Sequence, residues 1–121
     1  MAAAHYKLDN LVAIVDCNTL QITGRTRDVC SNEPLHHKFD AFGWDVHEVD
    51  GHDLSALTAI LRRSAKPATP TLVIAHTVKG KGVNFMEDVT KWHHGVPDDS
   101  EYSLAIEQLD QAFDARSTSS S

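Results

Sequence analysis

An apolar run in this chain ends in Asp16-Cys17-Asn18, and a short polar stretch, Thr19-Leu-Gln-Ile-Thr-Gly24, follows it. An asparagine at such a strand end can offer its side-chain oxygen to a hard cation, and neighbouring backbone carbonyls can add to it. In open α/β sheets the C-terminal ends of the strands are where ligands bind. Two other places carry chemistry. Val78-Lys-Gly-Lys-Gly-Val83 sets two lysines among glycines, and Trp92-His-His-Gly95 sets two histidines side by side. Each has a plain alternative. An Asn after a strand is commonly a turn residue. The lysine–glycine run lacks the Walker spacing, so by spacing alone it is a flexible loop. Neighbouring loop histidines are commonly solvated surface, and zinc would need further ligands that no Cys/His spacing supplies. Cys17 has no evident base beside it and reads as structural. His36 and His37 read as exposed on a helix, His47 as a strand-face residue, His52 as a turn residue and His76 as a hydrogen-bonded core residue.

These residues need a frame to hold them. The chain has 121 residues, 41% of them hydrophobic and 23% charged, which suits one globular domain or part of one. The net charge of −6 argues against a nucleic-acid footprint, which needs a basic face. No stretch is apolar and long enough to span a membrane, and the first residues lack the apolar region of a signal peptide. Cys17 and Cys30 belong to no C-x-x-C pair, so reduced thiols and a cytoplasmic setting are expected.

Residues 2–9 read as the end of a helix. Leu11–Val15 is a continuous apolar run, as in a strand buried on both faces of a parallel sheet. Residues 18–33 read as a loop. Pro34 opens a helix bearing Leu35, Phe39 and Phe42, and Gly43 ends it. Residues 44–49 alternate as a second strand. Asp53 is a good N-cap for a helix with Leu54, Leu57, Ile60 and Leu61 on one face. Thr71–Thr77 is a third, buried strand. Residues 84–100 are irregular, and Tyr102–Phe113 closes the chain as an amphipathic helix with Leu104, Ile106, Leu109 and Phe113. Strands alternating with helices predict an α/β fold: a partial doubly wound parallel sheet of three or so strands with flanking helices. Residues 1–115 form this unit, and 116–121 are expected to be a disordered Ser-rich tail.

The motifs, in order, resemble those of transketolase, in the second half of its thiamine-diphosphate-binding domain. His5-Tyr-Lys-Leu-Asp-Asn-Leu-Val-Ala-Ile-Val-Asp-Cys-Asn18, Leu20-Gln-Ile-Thr-Gly24 and Phe39-Asp-Ala-Phe-Gly-Trp44 carry the likeness. Asp50-Gly-His-Asp53, Thr77-Val-Lys-Gly-Lys-Gly-Val83 and Trp92-His-His-Gly-Val-Pro97 complete it. The resemblance covers nearly all of residues 2–115 and is similar in style to the shorter enzymes split into two subunits. It implies half of a thiamine-diphosphate-binding fold. It also implies that Asn18, by its side chain, and Leu20, by its carbonyl, hold Mg²⁺ and with it the cofactor diphosphate. Ile22 is implied as an apolar wall near the thiazolium ring and Lys79 as a cation near the cofactor. His93 is implied as the histidine near the diphosphate and donor substrate, with His94 second because a one-residue shift would select it. Lys81 keeps its reading as a loop residue.

By the same resemblance the activity is transfer of a two-carbon ketol unit between sugar phosphates; a deoxyxylulose-phosphate-synthase-like relative is the alternative enzyme. The family's opening Gly-Asp-Gly, with its metal-binding aspartate, does not occur in the sequence, nor does the pyrimidine-binding domain. The expectation is therefore a chain incomplete or inactive alone, working as a homo-oligomer or with a C-terminal transketolase subunit, or else a non-catalytic piece.

Overall fold

The computed structural model describes residues 1–63 and 66–119, with side chains to Ala115. Its centre is a parallel sheet of three strands: β1 (Val12–Cys17), β4 (Asp45–Asp50) and β5 (Thr71–His76). Their order across the sheet is β1-β5-β4. Two shorter strands, β2 (Leu20–Gln21) and β3 (Gly24–Arg25), pair antiparallel beside it. The helices are α1 (Ala2–His5), α2 (Thr26–Val29), α3 (Leu35–Ala41), α4 (Leu54–Leu61) and α5 (Asp99–Ser119). The expected partial doubly wound α/β sheet is thus present.

The core sits on β5. Leu72, Val73, Ile74 and Ala75 are buried on both faces of the sheet, and Pro70 just ahead of them is also buried. That continuous apolar run needs cover on either side, and the crossovers supply it. His36 of α3 donates to Glu48 of β4, while Arg63, just past α4, donates to His47. Neighbouring strand residues point to opposite faces, so α3 and α4 lie on opposite sides of the sheet. Phe39 and Trp44 meet edge-to-face at 5.4 Å and close the α3 side.

β1 departs from expectation. It pairs with β5 along one edge and is one of the two outer strands of this sheet, and Val12 and Ile14 stay 47% and 57% exposed instead of buried on both faces. The apolar run could not reveal this, because a central strand and an edge strand can share a composition. Two helices also bury less than their pattern suggests. In α4, Leu57 and Ile60 face inward while Leu54 and Leu61 are exposed. In α5, Ala105 is the buried residue, and Leu104, Ile106, Leu109 and Phe113 remain exposed in large part. His76 ends β5 at the surface, where it bonds Glu48, and so is not a core residue.

Local signals explain the helix starts. Asp53 caps α4 by accepting from the Ala56 N–H at 2.9 Å. Asp98 and Glu101 form a reciprocal capping box ahead of α5: Asp98 accepts from the Glu101 N–H at 2.8 Å, and Glu101 accepts from the Asp98 N–H at 3.0 Å. Helix α5 runs past Phe113 to Ser119. Side chains from residue 116 on, and Ser120 and Ser121 altogether, lie outside the described residues, and the expected tail over 116–121 falls in that stretch.

Asp45, largely buried at the start of β4, accepts from Lys66 at 2.6 Å and from His47 at 3.0 Å. The Lys66 contact foremost holds its carboxyl below the ordinary aspartate range. A carboxyl that binds its proton less tightly folded than unfolded stabilises fully above the ordinary range and loses that contribution as the pH falls through its folded value. The urea-midpoint difference between wild type and Asp45→Asn should therefore shrink between about pH 6 and about pH 3. Leu72→Ala should cost about 2–5 kcal/mol in urea unfolding, because the side chain is fully enclosed.

Candidate functional site

The β1–β5 register places the site. Cys17 pairs with His76, so the residues that follow each strand leave the sheet together. The Thr77 N–H donates to the Cys17 carbonyl at 3.3 Å, and the Thr77 hydroxyl donates to the Asp16 carboxylate at 2.5 Å. These bonds extend the strand pairing to the point where Asn18 turns away on one side and Lys79 on the other.

The stretch after Asn18 is not the plain loop expected for 18–33. The Asn18 side-chain oxygen accepts from the Leu20 N–H at 3.0 Å, an Asx-type turn. Strands β2 and β3 then form a small hairpin with Ile22 at its tip, and α2 adds a helical turn. Ile22 sits at φ 47°, a conformation that a β-branched residue rarely adopts and that strains the backbone. Thr19, at φ 63°, also lies in the left-handed region.

The other wall is the segment after β5. Gly80 sits at φ 74°, and a Cβ there would come within 2.6 Å of the Met86 carbonyl oxygen. Only glycine permits this close return of the chain. His52 Nε2 accepts from the Val78 N–H at 2.8 Å and steadies the start of the turn. Glu87 accepts from the Gly82 N–H at 3.0 Å, the contact that chiefly lowers its carboxyl pKa, and it pairs with Lys81 at 3.5 Å. Lys81 is thereby occupied within its own loop. Among the described residues no carboxylate pairs with the Lys79 ammonium. Thr90–His93 form a single 3₁₀ turn, whose geometry puts Thr90 and His93 on one side.

One cavity of about 330 Å³ lies between these walls, lined by Asn18, Leu20, Gln21, Ile22, Lys79, Thr90 and His93. It unites the residues singled out from the sequence as Asn18, Leu20, Ile22, Lys79 and His93. His94 stacks edge-to-face on His93 at 4.3 Å and does not line the cavity. Gln21 and Thr90 were not anticipated. Gln21 has a buried amide oxygen with no partner, and no local pattern marks either residue. Cys17 borders a larger neighbouring cavity, and burial first, then the charge of Glu33, pushes its thiol pKa up. A thiol held protonated is a poor nucleophile.

The donor set fits a hard cation carrying an anion. The Asn18 amide oxygen has a second lone pair beyond its bond to Leu20. With a backbone carbonyl close by, it matches the oxygen chemistry of Mg²⁺. Lys79 adds positive charge to the same cavity.

Fold and cavity together define an α/β protein with a candidate ligand site at the carboxyl ends of parallel strands, where open sheets of this kind bind ligands. The model of the family described as "Transketolase, thiamine diphosphate binding domain" matches residues 1–116. The chain belongs to the transketolase family, within its thiamine-diphosphate-binding domain. It is 44% identical over 115 residues to an apulose-4-phosphate transketolase subunit of Phocaeicola vulgatus, covering 94% of this chain and 41% of that protein. It is also 44% identical over 109 residues to the protein of the same name from Actinobacillus succinogenes, covering 90% and 40%. The crystal structure of transketolase from Campylobacter jejuni superposes with a TM-score of 0.67 at 26% identity, covering 92% of this chain and 21% of that one. The chain thus spans about two fifths of the length of the curated relatives it matches.

Gly80→Ala should displace Lys79 from the cavity, because the backbone must move to admit the new methyl group. Amide shifts of residues 79–88 should change and unfolding free energy should fall by about 1 kcal/mol or more. Unchanged spectra would show that the close return at Met86 does not shape this wall.

Proposed function

We propose that this chain supplies the diphosphate side of a thiamine-diphosphate site in a transketolase, which moves a two-carbon ketol unit from a ketose phosphate to an aldose phosphate. The observation that carries the reading is the convergence of Asn18, Leu20, Ile22, Lys79 and His93 on one cavity. Asn18, through its side-chain oxygen, and Leu20, through its carbonyl, hold Mg²⁺. Bound there, the ion would anchor the cofactor's diphosphate and offset its charge. Lys79 offsets diphosphate charge at close range. Ile22, held at the hairpin tip, presents an apolar surface that keeps water from the ring of the cofactor. His93 hydrogen-bonds the polar groups of the donor sugar phosphate and keeps them oriented. The bound cofactor supplies the nucleophilic carbon and the electron sink for the transfer.

The names of the apulose-4-phosphate relatives call them subunits, which supports a chain that acts in an assembly. We accordingly assign the complete activity to this chain together with a second polypeptide that carries a pyrimidine-binding domain, such as a C-terminal transketolase subunit, or with further copies of itself. The donor and acceptor are sugar phosphates. The cytoplasm, where such sugar phosphates are metabolised, is the proposed location, in keeping with the two free cysteines.

The test is a chimaera in which residues 1–116 replace the matching stretch of the Phocaeicola vulgatus relative, assayed with that relative's own partner chain. Ketol transfer that requires both thiamine diphosphate and Mg²⁺ is expected, with Asn18→Ala lowering apparent Mg²⁺ affinity about 10–100-fold. A folded chimaera that binds neither would overturn the proposal. The 121-residue chain alone should bind the cofactor and Mg²⁺ only weakly, with little or no heat on calorimetric titration at micromolar concentration, and tight binding there would contradict the need for a second polypeptide.

A further inference from the structure

Arg25 and Asp88 lie far apart in the sequence, yet their side chains meet fork to fork. Arg25 Nη1 donates to Asp88 Oδ1 at 2.7 Å, and Nη2 donates to Oδ2 at 2.5 Å. Arg25 Nη1 also donates to the Thr19 hydroxyl at 3.0 Å. On its own side, then, Arg25 grips the residue next to Asn18. On the other side, Asp88 is tied to the lysine wall, since its N–H donates to the Lys79 carbonyl at 2.9 Å. It also stands two residues ahead of Thr90, where the turn carrying His93 begins. Asp88 adopts φ 60°, a left-handed conformation that turns the chain at this point.

Neither residue lines the cavity. The hairpin holding the cation ligands and the segment holding Lys79 and His93 leave the sheet from different strands. Strand pairing fixes their roots and leaves their far ends to side-chain contacts. A bidentate arginine–carboxylate pair fixes direction as well as distance, which a lysine point charge does not.

We propose that Arg25 is a positioning residue: through Asp88 and Thr19 it sets the distance between the cation-binding hairpin and the Lys79–His93 wall. This rests on the cofactor reading for its purpose but not for its geometry. Because the pair is substantially exposed at both ends, salt screens it, and the clamp can yield while the sheet stays intact.

The test uses the full 121-residue chain and two readouts. Hydrogen exchange is measured at the Asp88 amide, bonded to Lys79, and at the Thr26 amide, bonded to the Thr19 carbonyl at 2.8 Å. In Arg25→Gln both should exchange about fivefold faster or more, with the β5 amides unchanged. Arg25→Lys should fall in between, and the exchanged pair Arg25→Asp with Asp88→Arg should restore slow exchange. Unchanged rates in Arg25→Gln, or acceleration that includes β5, would overturn the clamp. Mn²⁺ with thiamine diphosphate, at millimolar concentration, is then the paramagnetic probe. In wild type it should broaden amides 18–22 together with those of Lys79 and His93; in Arg25→Gln broadening at Lys79 and His93 should weaken. Equal broadening of both walls in that variant would also overturn the clamp. Absence of broadening at 18–22 in wild type would show that the chain alone does not hold the cofactor even at millimolar concentration; the chimaera would then decide the cofactor reading, and the exchange rates would decide the clamp by themselves.

Discussion

The in-register parallel pairing of β1 with β5 is the contact on which the rest of the site depends. It runs from Val12 opposite Thr71 to Cys17 opposite His76, so both strands finish at the same level. A slip of one residue would turn Asp16 and Thr77 away from each other and send the Asn18 and Lys79 segments to different heights. Burial enforces the register. Leu72 through Ala75 are enclosed on both faces, and any shift of β5 would exchange one buried set for another of different shape.

Above the sheet the argument changes from apolar burial to polar geometry. Little in the loops after β1 and β5 is buried, with Val83 the chief exception. They hold their shape through an Asx turn at Asn18, a glycine return at Gly80, the His52 and Glu87 contacts to backbone N–H groups, and the Arg25–Asp88 fork. Individual exposed contacts of this kind contribute modestly. Several acting on one short segment restrict it because each removes a different freedom. Three of the five non-glycine residues that adopt left-handed backbone among the described residues lie here, Thr19, Ile22 and Asp88; Lys7 and Ala68 lie elsewhere. Such conformations persist only where the surroundings over-determine them, and they gather at ligand sites.

Much of the fold was legible in local pattern. The identities of β1, β4, β5 and of α3, α4 and α5 follow from periodicity, whereas β2, β3 and α2 do not, and Asp53 follows from the preference of helix N-termini for short acceptors. The capping box at Asp98 and Glu101 is present in the sequence as a D-x-x-E spacing, in a segment that otherwise lacks periodicity. The burial of the strands and helices was less legible. Val12 and Ile14 read as interior but stand on an edge, and four apolar residues of α5 read as a packed face while Ala105 does the packing. Hydrophobicity says which residues can be buried; only the neighbours decide which are.

The candidate site divides the same way. The sequence by itself determined the ordered motifs, the strand-end asparagine, the glycines that permit tight return and the family to which the chain belongs. Those are local properties or ordered sets of local properties, and they need no knowledge of what lies across space. The resemblance ranks Lys79 over Lys81 and His93 over His94; tertiary structure showed that Lys79 and His93 line one cavity, while Lys81 is paired with Glu87 and His94 lies outside the lining. It also decided that Gln21 and Thr90 join the lining and that Arg25 meets Asp88. Apart from the local Lys81–Glu87 pair, each of these depends on the relative heights and directions of two segments separated by tens of residues. That relation is set by strand register and by long-range side-chain contacts, neither of which leaves a signature in any single stretch of chain.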